Sequence, residues 1–345
     1  MHATLTNLKT LMEDMESSPK RRTRNNVKRF YKTVEDNKIK PKLSGLKDIA
    51  GYEDVKKQIK TLFVLPLKQP QLYLNRQSQK TLLLFGPPGT GKTQLVHALA
   101  AETNADIYSL TASTIMSAYI GETEKMVEIM FKVMKHVPRI SILFLDEIDG
   151  LCRKRHGSEQ DHNRRLKTEF MCQLSNFDEN PQSFLICATN CPWDLDTAFL
   201  RRFNNRIYVP LPNRFERVEL LRLYTKDTVL YNTFPFWEDL LNITEGYSCS
   251  DLNDLVRNAL LRPVNELNDI KIWKLVDDTH YIPVSKVSVE EFGEHLRFCN
   301  LEELPDKSVR ARDATLEDLL ESTNEVKPTV PLREIERFDE YIKWH

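Results

Sequence analysis

The chain has 345 residues, 41 % of them apolar and 29 % charged, and its Lys and Arg nearly balance its Asp and Glu at a net charge of −1. That balance excludes a general polyanion binder, so nucleic acid is not expected as a partner, and no apolar run approaches the ~20 residues of a membrane span, so direct membrane insertion is not expected either. The length suffices for roughly two domains with cores of their own.

In chain order, the first residues, Met-His-Ala-Thr-Leu-Thr-Asn-Leu-Lys, lack the apolar core of a signal peptide. A short helix is expected over Leu5 to Met15. Residues 1–44 then turn basic, with ten Lys or Arg between Lys20 and Lys42 against Glu35 and Asp36. They are expected to form a flexible, solvated arm, serving either as a plain linker or as a binder of an acidic partner or a nuclear-localisation signal. From 45 to 212, apolar strand-like runs at 81–85, 105–110, 141–145, 183–188 and 206–209 alternate with amphipathic helical stretches. This rhythm predicts an α/β domain with a doubly wound parallel sheet.

The run at 81–85 leads into Gly86-Pro87-Pro88-Gly89-Thr90-Gly91-Lys92-Thr93, followed by the amphipathic Gln94-Leu95-Val96. Strand, glycine-rich loop and helix at this spacing are the Walker A pattern. Gly86, Gly89 and Gly91 let backbone N–H groups close around phosphates, Lys92 reaches the β and γ oxygens and Thr93 offers its hydroxyl to Mg²⁺. The helix N-terminus adds free donors and a favourable dipole. The run at 141–145 ends in Asp146-Glu147, which reads as Walker B. Asp146 at the strand end is placed to hold Mg²⁺, and Glu147 to orient and polarise an attacking water. The cofactors expected are ATP and Mg²⁺.

After Pro210-Leu211-Pro212-Asn213 the pattern turns helical, so a smaller helical domain is expected over 213–345, with an insertion near 273–314 and a C-terminal helix. Six cysteines, Cys152, Cys172, Cys187, Cys191, Cys249 and Cys299, show neither paired metal-ligand spacing nor disulfide-scaffold density. They are expected to be reduced structural thiols of a cytosolic or nuclear protein.

Asp48-Ile49-Ala50-Gly51, the Walker pair, Ala188-Thr189-Asn190, Leu200-Arg201-Arg202-Phe203 and Glu245-Gly246-Tyr247-Ser248 stand in the order and spacing of an AAA ATPase module, which the chain resembles over about 45–345. More narrowly it resembles the meiotic clade, which holds katanin, spastin, fidgetin and the vacuolar protein-sorting ATPase that disassembles ESCRT-III polymers. Val64-Leu65-Pro66-Leu67, Tyr119-Ile120-Gly121-Glu122-Thr123-Glu124-Lys125, Asp146 to Cys152, Pro192-Trp193-Asp194-Leu195-Asp196 and Lys327-Pro328-Thr329-Val330 carry that narrower likeness.

The resemblance implies further roles. Asn190 is similar to sensor 1, and Arg201 and Arg202 to arginine fingers that a neighbouring subunit inserts toward the γ-phosphate. Ile49, Ala50 and Gly51 resemble the adenine-contacting segment, with Cys249 and Ser250 closing it from the lid. A site completed in trans implies an ATP-promoted homohexamer, in which Tyr119 and Ile120 form the pore loop that grips an extended substrate polypeptide. Ala118, Cys249, Leu200 and Asn204-Asn205 depart from the clade's usual residues, but none removes a catalytic group.

An active, cytoplasmic remodelling ATPase, endosome-associated or cytoskeletal, is therefore expected, with an ESCRT-III-like polymer or tubulin as substrate. Lys167-Thr168-Glu169-Phe170, Phe203 and the stretch from Trp273 to Thr315 resemble the ESCRT-III-disassembling enzyme, while the 44 residues ahead of the module are too few for its three-helix recruiting domain. The basic arm suits acidic tubulin tails instead, as in katanin-like microtubule severing. A nucleotide-switched scaffold that does not thread substrate is the third alternative.

Overall fold

The computed structural model describes residues 32–41, 43–74, 80–117, 123–152, 161–177, 182–277, 279–284 and 296–344. The chain divides into two units. One ends at Leu211 and takes up again at Leu332, and the other runs Pro212–Pro331.

In the first unit, β1 (Lys38–Ile39), β2 (Thr81–Phe85), β3 (Asp106–Thr111), β4 (Ser141–Asp146), β5 (Ser183–Thr189) and β6 (Asn205–Tyr208) form one sheet in the order β1-β3-β4-β5-β2-β6 among the described residues. All neighbours are parallel except β1, which runs antiparallel to β3. The five expected strands are present within a residue or so of their predicted bounds. Their apolar runs are continuous, not alternating, because helices cover both faces and every residue of β5 is buried. On one face the helix Thr123–Lys135 seats Met126, Met130, Phe131 and Met134 against the sheet. Phe131 meets Phe170 edge-on at 5.5 Å, and Phe170 stacks on Phe199.

Two expectations are corrected here. The arm is not solvated throughout, since residues 32–36 are helical and lead into β1. Val34 is fully buried in the core, the Asn37 carbonyl accepts from Ser109 N at 3.1 Å, and Lys38 pairs with Asp106 at 2.7 Å. The basic count hid one apolar residue at the right distance from a short strand. The remainder of the arm, including the helix expected over Leu5 to Met15, lies outside the described residues. Secondly, the C-terminal helix Leu332–Trp344 groups with the first unit and not with the smaller one. Phe338 and Tyr341 bury against Phe85, with Trp193 and Tyr208 around them, and the Arg337 guanidinium lies 3.9 Å over the Trp193 ring.

The second unit is built on the helices Arg214–Thr225, Cys249–Glu266 and Leu316–Glu325. Each opens with a reciprocal capping box, Asn213 with Glu216, Ser248 with Asp251 and Thr315 with Asp318. Arg312 grips both oxygens of Asp318 at 2.7 Å while also binding Glu266, and this guanidinium holds the Asp318 carboxyl down to about 2. A three-stranded antiparallel sheet, β8-β7-β9, comes from β7 (Ile272–Val276), β8 (His280–Pro283) and β9 (Leu296–Phe298). It closes over the fully buried Trp273, whose indole donates to the Cys299 carbonyl at 3.0 Å. No helix among the described residues is long and apolar enough to cross a membrane.

Candidate active site

β2 delivers the phosphate loop. A Cβ on Gly86 would stand 2.1 Å from the Val209 carbonyl oxygen, so only glycine lets the loop leave the sheet beside the exit of β6. Lys92 begins the helix Lys92–Thr103, and its side chain folds back into the loop, where Nζ donates to the carbonyls of Gly86 at 2.9 Å and Pro87 at 2.8 Å. Thr90 closes the turn by donating to Pro87 at 3.0 Å. Burial pushes the Lys92 ammonium down to about 8, against the opposing pull of Asp146, Cys191 and Glu334. Its present partners are neutral carbonyls, so an anion in the loop would supply the charge that they lack. The first N–H groups of the helix have no carbonyl of their own to pair with and face the same space.

β4 ends at Asp146, and the Thr93 hydroxyl donates to Asp146 Oδ2 at 2.9 Å. The next residue, Glu147, is exposed, donates its N–H to Asp146 Oδ1 at 3.0 Å and has a left-handed φ of 52°. Ile148 is fully buried and donates its N–H to the Ala188 carbonyl on β5 at 3.0 Å. Thr189, which ends β5, donates to Asp149 Oδ1 at 2.9 Å and accepts from Cys191 N at 3.0 Å, with Asn190 in between. β2 and β5 are in register from Thr81 with Leu185 to Phe85 with Thr189, so Asn190 leaves the sheet at the edge that carries the phosphate loop.

Several other expected residues are placed. Ile49, Ala50 and Gly51 follow a single 3₁₀ turn, Leu46–Asp48, with Ile49 and Ala50 half-buried. Gly51 and Tyr52 are both left-handed, which turns the chain so that the Tyr52 hydroxyl donates to the Pro210 carbonyl at 3.1 Å. Pro88 and Gly89 are half-buried and Gln94 is exposed. Cys249 and Ser250 open a helix of the second unit, where the Tyr224 hydroxyl donates to the Cys249 carbonyl at 3.3 Å. Tyr119 and Ile120 lie outside the described residues. Arg201 and Arg202 are exposed at the other end of β2, where the Thr81 hydroxyl donates to the Arg202 carbonyl at 3.2 Å.

Among the described residues no cluster of three or more His, Cys, Asp or Glu could hold a metal on its own. One hydroxyl and one carboxylate in contact fit Mg²⁺, which takes few protein oxygens and draws the rest of its octahedron from phosphates and water. None of the six cysteines is in a disulfide, and burial raises the thiols of Cys152 and Cys187. Sequence reasoning missed the pairing of Asp149 with Thr189 and the seat of the C-terminal helix beside Phe85. Both pairing residues stand inside quoted motifs, but their partnership spans 40 residues and has no local signature.

Residues 82–211 match the family described as ATPase family associated with various cellular activities (AAA). The chain is 40 % identical over 233 residues to vacuolar protein sorting-associated protein 4A of Homo sapiens, covering 66 % of this chain and 53 % of that protein. It therefore spans about half the length of that relative. To vacuolar protein sorting-associated protein 4 of Dictyostelium discoideum it is 32 % identical over 305 residues, covering 85 % of this chain and 68 % of the relative. Among solved structures, the FIGL-1 AAA domain in complex with ADP superposes with a TM-score of 0.70 at 29 % identity, over 92 % of this chain and 96 % of that one. With this fold, this loop and these relatives, the chain belongs to the AAA ATPase family, alongside members of its meiotic clade.

Proposed function

We propose that the chain hydrolyses ATP as a cytoplasmic homohexamer and pulls subunits out of a protein polymer, of ESCRT-III type. The observation that carries this reading is the convergence of Lys92, Thr93, Asp146 and Glu147 on one sheet edge, with Thr93 in direct contact with Asp146. Lys92 binds the β and γ oxygens, Glu147 takes the proton of the attacking water and Asn190 orients that water or the γ-phosphate. Thr93 and Asp146 would hold Mg²⁺, which would supply charge to offset that of the phosphate oxygens.

The position of Arg202 supports action across a subunit boundary. Its carbonyl touches Thr81 at the start of β2, whereas Phe85 at the end of that strand precedes the phosphate loop. Four residue steps at ~3.3 Å put roughly 13 Å of strand between them, so the finger suits a neighbour's site better than its own. The three-stranded sheet inside 272–298 supports the ESCRT-III reading, since it occupies the expected insertion. The ten basic residues between Lys20 and Lys42 favour a second reading, severing of a polymer with acidic tails such as tubulin.

The test records ATPase and disassembly of labelled ESCRT-III filaments and microtubules in the same samples, over a protein concentration series. Turnover should rise more steeply than concentration, and mixing Arg202→Ala with Glu147→Gln protein should restore hydrolysis that neither shows alone. Tyr119→Ala should keep the ATPase and lose disassembly of the true polymer. Full disassembly by Tyr119→Ala would replace threading with a nucleotide-switched scaffold, and no recovery in mixed rings shown to form would rule against fingers acting in trans.

A further inference from the structure

We propose that Asp149 and Thr189 form a positioning pair that holds Glu147 and Asn190 in their working orientations, an inference that rests on the ATPase reading of this site. Thr189 is 1 % exposed, and its hydroxyl has one proton to donate and lone pairs to accept. The proton goes to Asp149 Oδ1 at 2.9 Å and a lone pair receives Cys191 N–H at 3.0 Å. The second bond closes a small ring around Asn190, so the hydroxyl that meets Asp149 also sets the backbone from which the Asn190 amide projects.

The same contact anchors the turn after β4. Ile148 and Asp149 are tied to consecutive residues of β5, Ala188 and Thr189, while Asp146 is tied to Thr93 on the other side. Glu147 is the one residue between these anchors, and it has a φ of 52°, a conformation that costs a glutamate free energy and persists only where its surroundings over-determine it. Loss of the Thr189 tie frees the turn, lets Glu147 return to negative φ and swings its carboxylate from the water that it must deprotonate. Neither Asp149 nor Thr189 is assigned a contact with nucleotide, so the effect reaches the chemistry only through Glu147 and Asn190.

The experiment measures kcat, KM and the affinity for a fluorescent ATP analogue in the full chain and its variants. Thr189→Val, which keeps shape and removes the hydroxyl, should lower kcat about ten- to hundredfold with nucleotide affinity within about twofold of wild type. Thr189→Ser should restore most of the rate. Asp149→Asn should also retain it, because an amide oxygen still accepts the hydroxyl proton, whereas Asp149→Ala should fall to the level of Thr189→Val, and the double variant no further. Should Thr189→Val melt below the assay temperature, Asp149→Ala against Asp149→Asn carries the same comparison. Wild-type kcat in either hydroxyl-contact variant, equal loss of affinity and rate, or additive losses in the double variant would overturn the positioning role while leaving the ATPase reading intact. Absence of turnover in the wild-type chain would overturn both.

Discussion

The Thr93 hydroxyl donates to Asp146 Oδ2 at 2.9 Å, across 53 residues of chain, and so joins the helix after the phosphate loop to the end of β4. These are the two oxygens assigned to Mg²⁺, and they are already together without it. Thr93→Val, which keeps the branch and loses the oxygen, should abolish the gain in ATP affinity that Mg²⁺ confers. Titrating a fluorescent ATP analogue with Mg²⁺ and again with a chelator checks this. The two curves should differ for the wild type and coincide for the variant.

Glu147 is exposed and makes no bond to the loop, whereas Lys92 is buried within it. Glu147→Gln should therefore bind ATP as well as the wild type while turnover falls by about 10²–10⁴, the usual worth of a general base. Lys92→Ala should lose binding itself. Equilibrium binding and phosphate release measured on both variants separate the two roles, and wild-type turnover in Glu147→Gln would remove that residue from the mechanism.

The pH dependence follows from Lys92, which burial lowers to about 8. Its folded value lies below its unfolded one, so between about pH 8 and 10.5 the unfolded chain binds more protons and stability rises with pH. Below pH 8 the buried ammonium is a net cost of about 3 kcal/mol from this shift alone, and Lys92→Met should melt higher than the wild type at pH 7. ATP favours the charged form, so binding at pH 8.5 to 9 should take up a proton. Calorimetry in buffers of different ionisation enthalpy should show that uptake and should find little of it at pH 6.5.

Much of the site was legible because its chemistry is local. Gly86 to Thr93 and Asp146-Glu147 carry spacing and flanking strands in a few residues each, and continuous apolar runs told buried parallel strands from surface ones. Val34 and Lys38 were not legible, because a two-residue strand has no period and a basic stretch reads as solvated. The seat of the C-terminal helix escaped as well. Its strongly amphipathic pattern announces a buried stripe but does not say against what, and the answer, Phe85, lies more than 240 residues away.

That seat yields a further prediction. Phe338 is fully buried between Trp193, at 4.8 Å, and Tyr208, at 5.8 Å between ring centroids. Phe338→Ala should destabilise the chain by about 3–5 kcal/mol, as other buried Phe truncations do. Phe85 shares the cluster and directly precedes Gly86, so ATP should recover part of the lost stability. Urea unfolding with and without nucleotide measures both effects. Phe338→Leu should fall in between.

β1 is two residues long, yet it pairs with the outer side of β3 at Ile107 and Tyr108. Remove it and β3 would present a row of bare N–H and C=O groups along its outer border, a template that any extended segment in solution can join. A shortened protein that starts at Gly45 would be expected to clump through this border whether or not ATP is present. That clumping would be easy to mistake for ring formation. Nucleotide-independent association that vanishes when residues 32–44 are restored would identify it as an uncapped edge.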